Sequence, residues 1–157
     1  LRRAGPAPPP QAGEGCWVLP VARFLLLVRQ GGMPVDARAP YDPDNVFARI
    51  PRGEIPSRRV YEDAHAVAFE DINPVAPHHV LVIPRGAYVS WDDFSARATD
   101  AEIAGFVRAV GAVARAAGLV EPGYRLLANI GPDGGQEVPH LHVHILAGRP
   151  LGPMLAR

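Results

Sequence analysis

Hydrophobic and polar residues alternate strictly over one short stretch near the C-terminal end of the chain, residues 139–146. Three histidines there alternate with leucine, valine and isoleucine, which predicts a β-strand with imidazoles on one face and aliphatic side chains on the other. A helix would point residues i and i+2 to nearly opposite sides and would separate the histidines. Proline at residue 139 agrees with the first residue of a strand, where its missing N–H is tolerated.

Four further strands follow from the same kind of pattern. Residues 58–62 and 66–70 are short apolar and polar runs around a turn and predict a hairpin. Residues 79–83 combine His79 with four consecutive apolar residues, which predicts a central strand buried on both faces. Residues 124–130 form the fourth predicted strand, so the strand at residues 139–146 is the fifth.

The spacing of apolar residues also predicts two helices. Residues 46–50 place their apolar side chains on one helical face and predict a short helix. Thr99 and Glu102 have the spacing of a capping box, and apolar residues recur at helical spacing from there until Gly118, a natural stop. The apolar stripe of this long helix predicts core packing, alone or together with a subunit interface. Residues 91–94 are predicted as a linker or a helical turn.

Strands joined mostly by hairpins, with one long helical excursion, predict an α+β fold with a mainly antiparallel five-stranded sheet, one long helix and one short helix. The predicted domain covers residues 43–157. Residues 1–42 are rich in proline and glycine, which predicts a disordered extension. Met33 is the first methionine, and translation is expected to start there.

Composition narrows the classes of function. The 157 residues hold 16 basic and 16 acidic side chains, so the chain lacks the basic surplus typical of nucleic-acid binding. Cys16 is the single cysteine, which excludes a disulfide framework and agrees with a reducing cytoplasm. The apolar stretch at residues 16–28 is interrupted by Pro20 and Arg23 and is too short to span a bilayer, so no membrane partner is expected.

Three histidines on one strand face allow three interpretations. They form a solvated polar face, they bind a metal ion, or one of them is a nucleophile whose neighbours handle protons. Zinc accepts nitrogen ligands in a tetrahedral arrangement, and a histidine site that includes His79 is one option. No cysteine or carboxylate cluster adjoins the strand in sequence to complete such a site.

The residues just before the histidines offer a second clue. Residues 129–136 are turn-rich and include two consecutive glycines, which let backbone N–H groups approach an anion such as phosphate closely. An ordinary hairpin turn has the same composition, so both interpretations stand.

These segments together resemble a known family. The histidine run, the Asp-Gly-Gly-Gln before it, the Pro-x-x-Pro-x-His at residues 74–79 and the segment at residues 47–56 are similar to the histidine triad superfamily. The closest resemblance is to its Hint branch of purine nucleoside phosphoramidate hydrolases, with residues 148–155 resembling bacterial members. The resemblance runs from about residue 45 to the end of the chain and implies a HIT-like fold.

The resemblance also implies catalytic roles. His142 is expected to attack the α-phosphorus of the substrate and to form a covalent nucleotidyl-histidine. His140 and His144 are expected to orient His142, to contact phosphate oxygens and to help protonate the leaving amine. His79 is expected to support the three from the facing strand. No metal ion and no other cofactor is implied.

The implied nucleotide site draws on ten residues. Asn129, Gln136 and the backbone at Glu137 and Val138 are expected to bind phosphate, and Asp71 is expected to bind the ribose hydroxyls. The purine is expected to lie among five apolar side chains, Val46, Phe47, Ile50, Phe69 and Ile72. Core packing explains these five equally well from sequence alone, and Asp71 suits a turn cap.

Members of this branch are homodimers, and the apolar stripe of the long helix permits the same here. Two other functions stay open. The same fold hydrolyses dinucleoside polyphosphates or transfers nucleotidyl groups, and a nucleotide-binding scaffold needs no catalysis. Glu137 replaces the serine common in eukaryotic members, and its charge is expected to disfavour acidic leaving groups.

Overall fold

A computed structural model of the chain describes residues 34–155. In chain order it contains α1 (Val46–Arg49), β1 (Arg59–Glu62), β2 (Ala66–Glu70), β3 (His78–Pro84), α2 (Trp91–Arg97), α3 (Asp100–Ala116), β4 (Arg125–Leu127) and β5 (Val143–Ala147). Residues 1–33 lie outside the described residues, and with them the translation start expected at Met33 and most of the predicted extension. Between residues 34 and 42, Val35 is buried and Tyr41 is half-buried.

The five strands form one antiparallel sheet in the order β1-β2-β3-β5-β4. The α+β class and the mainly antiparallel sheet predicted from the sequence are confirmed. β5 lies between β3 and β4, so the strand that follows the histidine run occupies the interior of the sheet. Every residue of β3 after His78 is buried, as its run of apolar residues predicted.

The two faces of the sheet support different layers. One face packs against α3, where Val143 and Ile145 of β5 contribute to a core that contains Phe106 of the helix. The opposite face carries a second apolar cluster, to which α1 contributes. Its buried members are Phe47, Ile50, Val67, Phe69, Leu81 and Ile83. The alternation within β5 thus sends Val143, Ile145 and Ala147 towards α3 and places His144 and Leu146 on the other face.

The long helix begins and ends as the sequence predicted. The side chain of Thr99 accepts a hydrogen bond from the backbone N–H of Glu102, whose carboxylate accepts one from the N–H of Thr99 in return. The helix ends at Ala116, and Gly118 follows with φ of +68°, which only glycine adopts without strain. The buried residues Phe106 and Val110 lie on the face towards the sheet.

One helix is longer than predicted. The segment that the sequence predicted as a linker or a helical turn forms the seven-residue helix α2. Ser90 caps it by accepting the N–H of Asp93, and Asp93 pairs with Arg97 one turn later. The helix buries Phe94 against Phe106, with ring centroids 5.3 Å apart. Tertiary packing of Phe94 therefore stabilises a helix too short to be evident from periodicity.

The strand containing the histidines is shorter than predicted. β5 begins at Val143, and not at residue 139, because the preceding backbone bonds outside the sheet. The N–H of Leu141 donates to the carbonyl of Tyr88, and the N–H of His140 donates to the carbonyl of Val138. β4 is likewise limited to three residues. Within residues 34–155, no helix combines the length and the apolar character that crossing a membrane requires.

Candidate active site

The antiparallel pairing of β3 with β5 brings three histidines together. His144 on β5 pairs with Leu81, and His79 lies two residues away on β3, opposite Leu146. The ring centroids of His79 and His144 are 5.2 Å apart, and those of His142 and His144 are 5.1 Å apart. These three imidazoles lie next to one another although His79 is 65 residues from His144 in the chain.

The hydrogen bonding of His142 fixes its protonated nitrogen. Its Nδ1 lies 2.8 Å from the carbonyl oxygen of His140, and a carbonyl oxygen only accepts hydrogen bonds. The hydrogen therefore resides on Nδ1, and Nε2 carries the free lone pair. The ring of Phe47 packs edge-on against this imidazole, with centroids 5.1 Å apart, which limits its rotation. A neutral imidazole held in this way presents a nucleophilic nitrogen.

His79 and His144 belong to a directed series of two hydrogen bonds that begins at Val75. The backbone N–H of Val75 donates to Nδ1 of His79 at 3.2 Å, so the ring hydrogen of His79 is on Nε2. That nitrogen lies 2.8 Å from Nδ1 of His144 and donates to it. His144 consequently carries its hydrogen on Nε2, a buried atom without a hydrogen-bond partner within residues 34–155. His142 thus offers a lone pair, and the neighbouring His144 offers a donor.

His140 has a different environment. Its Nε2 lies 3.0 Å from the carbonyl oxygen of Pro84 and must donate to it, while its Nδ1 accepts from the hydroxyl of Tyr41 at 2.7 Å. Both ring nitrogens are therefore engaged, and the structure leaves neither free for a phosphate oxygen or a leaving amine. The carbonyl of His140 orients His142, which is the part of its expected role that the geometry supports.

Burial keeps the histidines neutral. Desolvation lowers the pKa of His140 to about 4, an effect that outweighs its hydrogen bond to Pro84. The pKa of His144 is also lowered to about 4, mainly by burial and then by the neighbouring His142 and His79. Burial is the first cause of the lowered pKa of His142 and of His79 as well. At neutral pH the site therefore contains uncharged imidazoles with fixed hydrogens.

Asp71 joins the site at its outer edge. One carboxylate oxygen accepts the N–H of Asn73 at 2.7 Å, which is the turn cap that its sequence position suggested. The other oxygen lies 3.4 Å from Nε2 of His79. Asp71, His79 and His144 place potential metal ligands within 4.8 Å of one another, so the residues for a zinc site include a carboxylate that the sequence analysis did not assign to it. Two of those nitrogens bind each other by a hydrogen bond.

The loop before the histidines is held by Gln136. Its Oε1 accepts from the N–H of Gly131, and its Nε2 donates to the carbonyls of Val89 and Val138, at 2.6 and 2.9 Å. Both amide hydrogens of this buried side chain are therefore used inside the protein. Gln136 therefore shapes the loop, and the phosphate contact expected from the resemblance stays a prediction.

Other predicted phosphate ligands lie in accessible positions. Among the described residues, no hydrogen bond engages the backbone N–H of Glu137 or of Val138. The side chain of Glu137 is exposed, and its carboxylate is one of the groups that raise the pKa of His142 against the larger effect of burial. Asn129 is half-buried after β4, and its side chain makes no hydrogen bond within the described residues.

The residues expected to contact the purine divide into two groups. Phe47, Ile50 and Phe69 belong to the buried cluster beneath α1, so core packing accounts for most of their surface. Val46 is partly buried against that cluster, and Ile72 is 54% exposed. Val46 and Ile72 therefore offer more surface to a ligand than the other three.

Sequence reasoning missed Tyr41 and the carbonyl of Pro84. Tyr41 lies 99 residues from His140 in a segment predicted to be disordered, and no motif connects the two. Every residue has a backbone carbonyl, so the sequence does not reveal which one accepts a hydrogen bond from His140. The strict alternation of the histidine run singled out these side chains but not the partners that determine their tautomers.

The chain resembles known proteins over most of its length. A family model described as HIT domain matches residues 52–151. The chain belongs to the HIT family. A HIT-like protein of Azospirillum brasilense is 69% identical over 117 residues, which cover 74% of this chain and 96% of that protein. The purine nucleoside phosphoramidase of Escherichia coli K12 is 45% identical over 113 residues, covering 72% of this chain and 94% of the enzyme.

Solved structures place the fold in the same family. A histidine triad protein from Clostridium difficile matches this HIT-family chain with a TM-score of 0.65 and 43% identity, covering 73% of this chain and 98% of the other. The resemblance to the histidine triad superfamily and the HIT-like fold are thereby confirmed. The matched residues include all of the histidine run and His79.

Proposed function

We propose that this HIT-family chain hydrolyses the phosphorus–nitrogen bond of purine nucleoside 5′-phosphoramidates through a covalent nucleotidyl group on His142. The observation that carries the proposal is the pair of fixed tautomers: a lone pair on Nε2 of His142 beside a buried N–H on His144. Neutral imidazole is a competent nucleophile at pH 7. The 45% identical phosphoramidase of Escherichia coli supports the choice of substrate class.

The first step forms one bond and breaks one. Nε2 of His142 bonds to the α-phosphorus as the phosphorus–nitrogen bond breaks, and the nitrogen leaves as an amine after taking up one proton from solvent. The imidazole becomes a cation whose Nδ1–H stays bonded to the His140 carbonyl. His144 donates its Nε2–H towards the departing nitrogen or a phosphoryl oxygen, where negative charge develops.

The second step restores the enzyme. Water attacks the phosphorus, loses one proton to solvent, and the bond between phosphorus and Nε2 of His142 returns its electrons to the imidazole. The products are the nucleoside monophosphate and the amine, with one water consumed. The N–H groups of Glu137 and Val138, which no hydrogen bond occupies within residues 34–155, suit the binding of phosphate oxygens beside the nucleophile.

The nucleoside is proposed to lie against the outer edge of the site. The Asp71 oxygen near His79 is available to accept hydrogen bonds from ribose hydroxyls. Val46 and Ile72 are the apolar side chains with surface left for a purine, and Val46 packs against the buried cluster that contains Phe47. Asn129, half-buried at the start of the glycine-containing loop, is proposed to contact the phosphate or the bridging atom.

The test is hydrolysis of adenosine 5′-phosphoramidate, with and without EDTA, analysed for AMP and ammonia. Stoichiometric release that survives EDTA supports the proposal. Loss on chelation that zinc restores would move the chemistry to the Asp71, His79 and His144 cluster. Diadenosine polyphosphates are assayed in parallel, and faster cleavage of these would support the polyphosphate hydrolase alternative. Nucleotide binding without turnover of either substrate would support the scaffold alternative.

Glu137 is expected to influence which amine leaves. Its carboxylate acts on the pKa of His142, so the charge reaches the reacting centre. We expect Glu137→Ser to raise kcat/KM for an adenosine phosphoramidate with an acidic leaving group by about three- to tenfold relative to one with a neutral amine. The ratio of the two kcat/KM values is the measurement. An unchanged ratio would discard a role in leaving-group preference.

We further propose a homodimer joined through α3 and β4. Exposed apolar side chains from these elements surround a groove of about 580 Å³. Val107 is 54% exposed and Leu126 is 50% exposed, and Trp91, Tyr124 and Ile130 extend the same surface. A contiguous apolar surface of this kind on a small domain indicates an interface.

We expect a charge in this groove to dissociate the dimer. The double variant Val107→Glu and Leu126→Glu should sediment with the mass of a monomer, because each carboxylate would be buried at a self-complementary interface. Val60→Glu is the matched control, since Val60 is 46% exposed on β1, away from the groove. Equal sedimentation of all three proteins would contradict the proposed interface.

A further inference from the structure

A strap at the start of the described chain reaches the active site. The strap, residues 34–44, has the buried Val35 near its start, and its Ala37 lies beside Gly131, where an added Cβ would be 3.8 Å from the Ala37 side chain. At its other end the guanidinium of Arg52 donates to the carbonyl of Pro43 at 2.9 Å. The strap is therefore held at both ends against the domain.

Tyr41 lies between these two attachments and contacts the histidine run. Its hydroxyl is 2.7 Å from Nδ1 of His140, and the two rings meet edge to face with centroids 5.6 Å apart. The direction of this hydrogen bond is determined, because the Pro84 carbonyl requires the His140 hydrogen on Nε2. Burial raises the pKa of Tyr41, so the hydroxyl keeps its hydrogen at neutral pH.

The Tyr41 bond extends a chain that ends at the nucleophile. Tyr41 holds one end of the His140 ring, Pro84 holds the other, and the carbonyl of the same His140 holds Nδ1–H of His142. Without the hydroxyl, the buried Nδ1 of His140 would lack its donor, a loss that favours a turned ring or the other tautomer. Either change would make the position of the His140 carbonyl less fixed and would weaken its hydrogen bond to Nδ1–H of His142, which selects the reactive tautomer.

We propose that Tyr41 is a positioning residue for the reaction at His142, acting through His140. The inference rests on the proposed phosphoramidate hydrolysis and adds a role for the segment before the family-model match at residues 52–151. Tyr41 does not touch the reacting atoms. Its effect is to maintain the arrangement in which Nε2 of His142 presents its lone pair.

The direct test is a measurement on the protein without substrate. In the ¹⁵N spectrum of the wild type, His140 should show the Nε2–H tautomer, with Nδ1 shifted as expected for a hydrogen-bond acceptor. Tyr41→Phe keeps the ring and removes only the hydroxyl, so the fold is retained and the melting temperature checks this. In the variant the Nδ1 resonance of His140 should move towards that of a free acceptor, or the two tautomers should mix.

Kinetics connect this change to the reaction. We expect Tyr41→Phe to lower kcat for adenosine 5′-phosphoramidate by about three- to tenfold, the scale of one hydrogen bond. KM should change by less than about twofold, because Tyr41 makes no proposed contact with the nucleotide. Tyr61→Phe is the matched control: it removes a phenolic hydrogen bond of 2.8 Å to Asp63, in the hairpin of β1 and β2. It should leave kcat and the His140 resonances unchanged.

The outcomes separate this inference from the proposed function. Unchanged His140 resonances in Tyr41→Phe would overturn it, and so would altered resonances with a kcat equal to that of Tyr61→Phe. Should the wild type fail to cleave any phosphoramidate, the proposed function fails first, and the positioning role for the reaction falls with it. The His140 resonances would then report only a structural contact.

Discussion

His142→Ala should lower kcat for adenosine 5′-phosphoramidate by about 10⁴-fold or more, because the variant lacks the atom that bonds to phosphorus. Loss of a nucleophile removes the covalent route entirely, whereas loss of a binding contact costs one or two orders of magnitude. The buried imidazole is packed against Phe47, and its removal leaves a small cavity beside the start of β5. The variant should therefore fold and bind nucleotide.

The measurement combines turnover with trapping of the intermediate. Acid-sensitive labelling of the wild type by a nucleotide radiolabelled at the α-phosphorus should be absent in His142→Ala. His65→Ala is the control, because His65 lies in the turn between β1 and β2, outside the histidine cluster. Residual activity above about one tenth of the wild type in His142→Ala would show that another group attacks the phosphorus.

The second large effect is expected in the response of stability to acid. A histidine whose pKa is about 4 when folded and about 6.5 when unfolded takes up its proton first in the unfolded chain. The free energy of unfolding is therefore not reduced by this histidine above pH 6.5, and it decreases as the pH falls from 6.5 towards 4. For His140 the loss amounts to about 3 kcal/mol over the whole range and about 2 kcal/mol between pH 6.5 and 5.

The window between pH 6.5 and 5 isolates the histidines, since ordinary carboxylates remain ionised there in both states. Urea denaturation at several pH values gives the free energy of unfolding. His140→Gln should lower stability at pH 7 and flatten the dependence on pH by about 2 kcal/mol over this window. A variant with the same dependence as the wild type would contradict a buried, neutral His140.

The acid response and the catalytic proposal have one origin. The desolvation that makes protonation costly also keeps His142 and His144 neutral, so a lone pair and an N–H are available at physiological pH. The site thus gains a ready nucleophile at the expense of stability in acid. Histidines on the protein surface would titrate near pH 6.5, so a fraction of them would be protonated at physiological pH and would lack the lone pair that attacks phosphorus.

Local sequence was sufficient for most elements. Thr99 and Glu102 are close enough to cap the long helix by themselves, and the alternation after Val143 directs side chains to two faces without reference to the rest of the fold. The hairpin of β1 and β2 and the buried strand β3 follow from short-range patterns in the same way. The resemblance then identified His142 and His79 as members of one site.

Tertiary structure decided the features that neighbouring residues in the chain cannot determine. α2 exists because Phe94 packs against Phe106, and the strand expected from residue 139 begins at Val143 because Leu141 bonds to the Tyr88 carbonyl. Gln136, expected to contact phosphate, uses both amide hydrogens on backbone carbonyls. Each outcome depends on a partner that a distant segment supplies.

The sequence by itself determined the alternation of histidines with aliphatic residues, and the resemblance added His79 to the same site. Only the tertiary structure decided where their hydrogens reside. The tautomer of His142 depends on a backbone carbonyl, and that of His140 on Pro84 and Tyr41, 56 and 99 residues away. A hydrogen position is set by the partner on the opposite side of a ring, and chain folding alone brings that partner into place.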